Sequence, residues 1–185
     1  MKKALFLALF FAAAMQVKAN ILQYDLKGIA GNGLLFGNEP IASGGTGGEV
    51  GAGISFDDVA LTLTVNAGWG SSQGFTDLSS VATASHIHGP TASNNGSGFT
   101  QTASVLFTLT RSSSAVTGGT FTTAPILLTA AQTTDLNNGK YYINIHTANN
   151  GGGELRGFIV PVPEPSTAAL ATVGILGLLA RRRRA

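Results

Sequence analysis

The chain holds three histidines, His86, His88 and His146. His86 and His88 stand two residues apart in the strand-like stretch Thr83–His88, so both side chains leave one face, about 6.6 Å apart along the backbone. His146 ends the run Tyr141-Tyr142-Ile143-Asn144-Ile145-His146, where Tyr141, Ile143 and Ile145 alternate with Tyr142, Asn144 and His146. That two-residue period places His146 on the polar face of a second strand. Three converging imidazoles with an open fourth position suit zinc or copper. The same residues have a simpler use, which is to hydrogen-bond loop backbone and fix two hairpins to each other. The structural use is the preferred reading, with no cofactor. A mononuclear copper- or zinc-binding or redox site is the alternative.

Other chemistry is poorly served. The absence of cysteine excludes thiolate metal sites, iron–sulfur clusters, thiol nucleophiles and disulfides. Serine and threonine are abundant throughout the chain, and no Ser/His/Asp arrangement stands out. Asp57 and Asp58 are adjacent, so on a strand they point to opposite faces and make a poor carboxylate pair. Gly44-Gly45-Thr46-Gly47-Gly48 lacks the Gly-Lys-Ser/Thr ending of a phosphate loop. No catalytic residue is assigned, and a non-enzymatic protein is expected.

The elements that must position the histidines centre on Tyr141–Ile159, which reads as strand, glycine turn, strand. Asn149, Asn150 and Gly151, Gly152 and Gly153 supply residues suited to the positive φ of a hairpin turn. The return strand alternates Leu155, Gly157 and Ile159 against Glu154, Arg156 and Phe158. Glu154 and Arg156 share a face, where an exposed pair would add only about 0–1 kcal/mol. The preferred role for Arg156 is to fan its donors into the carbonyls of the Gly151–Gly153 loop.

Upstream, Ile21–Ile29 alternates as a first strand. Gly31–Gly53 reads as a flexible surface loop. Val59–Asn66 is a clean alternating strand with Val59, Leu61, Leu63 and Val65 on one face. Ala67–Ser80 reads as a loop whose Trp69 is a core or loop anchor. Strands are expected over Ala103–Thr110 and Ala115–Thr122. Thr129 and Gln132 form a capping box that opens a short helix from Ala130 to about Asn137, ended by Gly139. Strands at short intervals with one brief helix imply an all-β sandwich or irregular barrel.

The ends differ from this body. Met1-Lys2-Lys3, the apolar Ala4–Met15 and Val17-Lys18-Ala19 have the layout of a secretory signal peptide over residues 1–19, cut by signal peptidase. Residues 20–160 form the expected domain. Residues 161–185 carry Pro163-Glu164-Pro165, an apolar stretch to Ala180 read as a transmembrane helix, and Arg181, Arg182, Arg183 and Arg184. The arginines act as membrane-stop charges and place the extreme C-terminus in the cytoplasm. From Asn20 to Val162 there are four bases against eight acids, a net of −4, although the whole chain is formally +2. Nothing there favours nucleic acid.

The tail resembles a PEP-CTERM sorting signal. That resemblance implies recognition of Pro163-Glu164-Pro165 by exosortase and transient anchoring in the inner membrane. It also implies delivery to the cell envelope or extracellular matrix of a Gram-negative bacterium, among exopolysaccharide or surface proteins. The body resembles a CHRD domain on His86-Ile87-His88-Gly89-Pro90, the Leu128–Gly139 helix and turn, Tyr142–Thr147 and Gly152–Gly157. This resemblance implies an immunoglobulin-like or superoxide-dismutase-like β-sandwich, and with it an exported structural or adhesive module. The two-metal centre of Cu/Zn superoxide dismutase needs more histidines than three, and a disulfide.

Overall fold

The computed structural model describes residues 19–28, 31–35, 44–92, 99 and 101–163. The expected signal peptide, apart from Ala19, the motif residues Glu164 and Pro165, the apolar tail stretch and Arg181–Arg184 lie outside them. Among the described residues no helix is long and apolar enough to cross a membrane.

The described residues form eleven strands, one 3₁₀ turn and one α-helix: β1 (Ile21–Gly28), β2 (Gly31–Asn32), β3 (Leu34–Leu35), β4 (Thr46–Asp57), β5 (Thr62–Trp69), the 3₁₀ turn Ser71–Gln73, β6 (Ala82–His88), β7 (Val105–Thr108), β8 (Gly119–Thr122), β9 (Ile126–Leu127), α1 (Ala130–Asn137), β10 (Tyr141–Thr147) and β11 (Leu155–Pro161). All pairings are antiparallel within one curled, open sheet. From one edge, β8 and β9 pair with β5, β5 with β4, β4 with β1, β1 with β11, β11 with β10, β10 with β6, and β6 with β7. The curl encloses the main core. Leu63, Val65, Ala67 and Trp69 of β5 share it with Ile87 of β6, Ile143 and Ile145 of β10, Leu155 and Ile159 of β11 and Leu136 of α1. Each such side chain, once fully buried, contributes roughly 1.5–3 kcal/mol of transfer free energy.

The expected alternation on β10 is present. Tyr141, Ile143 and Ile145 face the core. The opposite face is not solvated, however. Tyr142 packs with Phe158 and Val160 in a second cluster, covered by Phe99 and Ala103. This cover places a segment 39 residues away in sequence, at Ala103, against Tyr142 on a face that period-2 reasoning assigns to water, and it leaves Asn144 and Arg156 about 1% exposed.

Three boundaries shift. Val59 is half-exposed in a turn and Leu61 has φ 55°, so the strand starts at Thr62 and its inward set runs on through Ala67 and Trp69. Trp69 is indeed an anchor: it is fully buried, donates Nε1–H to the Ala115 carbonyl at 3.1 Å and stacks on Phe121. The strands expected over 103–110 and 115–122 shorten to β7 and β8. Gly31–Gly53 is not a flexible surface loop where it is described: it contains β2, β3 and most of β4, and Gly45 is buried. Small residues allow this close packing, with Gly47 and Gly48 opposite Trp69 and Gly68. Helix α1 begins as expected, Thr129 Oγ1 accepting from Gln132 N–H and Gln132 Oε1 from Thr129 N–H.

Candidate metal centre

β6 and β10 are neighbours, with Asn144 opposite His86, Tyr142 opposite His88 and Ala84 opposite His146. This register brings the three histidines together on the face away from the main core. Two irregularities in pairing adjoin them, between Ile87 and His88 and between His146 and Thr147. Such bulges re-aim side chains next to sites. The ring centroids lie 5.0 Å (His86–His146), 5.5 Å (His86–His88) and 5.8 Å (His88–His146) apart. One nitrogen from each ring falls within 4.8 Å of the others.

The surroundings settle two tautomers. His88 Nδ1 lies 2.9 Å from the Ala103 carbonyl and His146 Nδ1 lies 2.8 Å from the Gly151 carbonyl. A carbonyl only accepts, so both Nδ1 atoms carry the proton and both Nε2 atoms present a lone pair. Backbone carbonyls orient metal-binding histidines in this way. His86 Nδ1 meets His146 Nε2 at 3.1 Å. Two nitrogens on a tetrahedral zinc stand about 3.4 Å apart, so this pair already has ligand spacing. His88 Nε2 is buried and has no hydrogen-bond partner among the described residues.

Two of the rings, His86 and His88, are biased toward the neutral form. Burial pushes the His86 pKa down, and the charges of His146, His88 and Arg111 add to that. Burial also lowers His88, opposed by its bond to Ala103 and helped by the charges of His146 and Arg156. Neutral imidazole is the form that ligates. Tyr142 stacks on His88 at 4.9 Å with rings 7° from parallel, and its hydroxyl bonds Ala103, which holds the imidazole plane as well as its tautomer.

Arg156 does not fan into the glycine loop. Its Nη1 donates to the Gln101 carbonyl at 3.3 Å, and its guanidinium lies 4.3 Å from the Tyr142 ring centroid. The loop carbonyls are taken by Asn144 Nδ2, at Gly152, and by His146, at Gly151. Glu154 and Arg156 are not an exposed pair either. Glu154 precedes β11 and is fully buried. It accepts from Gly45 N–H, from the N–H and Oγ–H of Ser79, from Thr147 Oγ1 and from Asn150 Nδ2. Of the three hairpin glycines, Gly153 takes positive φ, at 122°, as the turn requires. Ala103, Tyr142 and Arg111 were not singled out by sequence. Only Tyr142 carried a signal, its place on the His146 face.

The architecture is thus an all-β sheet that gathers three histidines on adjacent strands. The CHRD domain family profile matches residues 34–159, and the chain belongs to that family. The PEP-CTERM protein-sorting motif matches residues 161–184. It marks an exported protein, sorted to the cell envelope, and implies processing by exosortase. Neither the curated proteins nor the solved structures yield a match.

Proposed function

We propose that this envelope protein is a binding module, without catalytic activity, that takes up one transition-metal ion through His86, His88 and His146. The observation that carries this reading is the buried, unpartnered Nε2 of His88, on a ring whose other nitrogen is already pinned by Ala103. A histidine used only as a structural link would leave no buried lone pair unsatisfied, because that costs about 1–3 kcal/mol. Copper and zinc both fit an all-imidazole set.

Thermal melts with and without added copper or zinc test the proposal. At a metal concentration of a hundred times Kd the chain should gain about 2.7 kcal/mol. His88→Ala should lose that gain. An identical response from the wild type and from the variant with all three histidines changed to alanine would rule out a site there.

A structural or adhesive role, alongside exopolysaccharide or surface proteins, is the second reading. It is supported by the links from His86 to His146 and from His146 to Gly151, which stitch β6 to the hairpin without any ion. On this reading His86→Ala and His146→Ala each lower the melting temperature, and metal does not restore it. The curl that joins β4 and β5 to β6 and β10 in one core supports an immunoglobulin-like or superoxide-dismutase-like sandwich.

Sorting has its own test. Material from the envelope should begin near Asn20 and lack Arg181–Arg184, as read by intact mass. Alanines at Pro163, Glu164 and Pro165 should leave export intact and stall the chain at the inner membrane. Retention of both ends in envelope material would refute this route.

A further inference from the structure

The three imidazoles of the cluster are not equivalent. His88 Nδ1 and His146 Nδ1 each face a backbone carbonyl, of Ala103 at 2.9 Å and of Gly151 at 2.8 Å, and each keeps its proton there. His86 Nδ1 meets His146 Nε2 instead, at 3.1 Å. That Nε2 carries a lone pair, because its ring is already protonated at Nδ1. Two lone pairs aimed at each other across this gap would repel. When no ion is bound, the proton of His86 therefore sits on Nδ1 and is donated to His146. The other nitrogen of His86 has a different setting. It makes no hydrogen bond among the described residues, and it is not one of their buried unpartnered atoms, so water reaches it.

Building on the metal reading above, we propose that His86 takes the ion through Nδ1 while His88 and His146 take it through Nε2, and that His86 is the one ring that changes tautomer on binding. His86 Nδ1 and His146 Nε2 stand about 0.3 Å inside the spacing of two nitrogens on a tetrahedral zinc. The ion enters the gap that the proton bridges. The N–H bond at Nδ1 breaks, one forms at Nε2 of the same ring, and the ring stays neutral. This exchange costs little at His86, because water accepts from Nε2–H. At His88 or His146 it would break the bond to a carbonyl and leave two acceptors facing each other. The link that stitches β6 to the hairpin and the metal centre are two states of one pair of atoms.

The test uses the full-length, untagged chain in detergent, in which His86, His88 and His146 are the only histidines. The histidine nitrogens are isotope-labelled, and two-bond proton–nitrogen spectra are recorded before and after loading with zinc or, without oxygen, with cuprous copper. Both ions are diamagnetic. Before loading, all three rings should be protonated at Nδ1. After loading, His88 and His146 should keep that proton and show Nε2 bound, while His86 should show Nδ1 bound and its proton on Nε2. A second arm uses aspartate, whose oxygens stand where histidine has Nδ1. His86→Asp should still hold one ion per chain. His88→Asp and His146→Asp should lose it, because their carboxylates would face the Ala103 and Gly151 carbonyls instead of the ion. A bound ion with His86 ligated through Nε2, or with its proton still on Nδ1, would overturn the inference and leave the metal reading standing. Stoichiometric binding of neither zinc nor copper would overturn both.

Discussion

Replacing Glu154 with alanine is expected to destabilise the folded chain by roughly 3–4 kcal/mol, by leaving several donors without an acceptor. The carboxylate is fully buried. Its Oε1 accepts from Gly45 N–H at 2.9 Å and Ser79 N–H at 2.7 Å, and its Oε2 from Ser79 Oγ at 2.6 Å and Thr147 Oγ1 at 2.8 Å. These bonds tie the hairpin to the glycine-rich start of β4 and to the loop before β6. Glu154→Gln should be milder. Its amide nitrogen can sit at the Oε2 position, where the two hydroxyls turn to accept and only the longer bond from Asn150 Nδ2, at 3.2 Å, is lost, while the carbonyl keeps the two backbone donors. Urea unfolding of both variants at neutral pH checks the order.

The same site sets an acid limb. Burial pushes the Glu154 pKa up, but its bonds to Ser79, Gly45 and Thr147 outweigh this and hold it below its ordinary 4.5. A group depressed on folding contributes stability that is present above the unfolded value and lost as pH falls through the folded one. Stability should therefore decline from about pH 4.5 downward in the wild type and less steeply in Glu154→Gln. Parallel declines in the two proteins would show that Glu154 does not carry the limb.

Gly153→Val should be the second severe change, at about 3 kcal/mol or more. Gly153 has φ 122°, which a β-branched residue does not adopt without strain. A β-carbon there would also overlap the side-chain amide of Asn144, which is buried and already bonded to the Gly152 carbonyl, so it has no room to yield. Asn144 stands beside His86 in the register, and the damage should reach the histidine cluster as well. Gly45→Val is also costly, roughly 1–3 kcal/mol by overpacking, since a β-carbon there would stand 2.9 Å from the carbonyl oxygens of Thr76 and Asp77. Gly151→Val meets nothing within 4 Å and should change stability by at most about 0.5 kcal/mol. Thermal melts of the three variants rank them. Equal damage from Gly151→Val and Gly153→Val would show that the turn geometry is not what Gly153 supplies.

The sequence by itself determined the features that depend on near neighbours. Alternation placed Ile143 and Ile145 in the core and His146 on the other face, because successive strand side chains must diverge. Thr129 and Gln132 marked the start of α1, because orphan N–H groups at a helix end need a local acceptor. The two-residue spacing put His86 and His88 on one face, and the family and the sorting tail were legible as contiguous motifs. Only the tertiary structure decided what lies against those faces. Glu154 meets Gly45 across 109 residues and His88 meets Ala103 across 15, and no local period specifies either contact. Arg156 left the glycine loop because Gln101 and Tyr142 offer it a carbonyl and a ring on a face that Phe99 and Ala103 cover. The convergence of His146 on the β6 pair depends on a strand register and two bulges. A shift of one residue would have turned it to the opposite face.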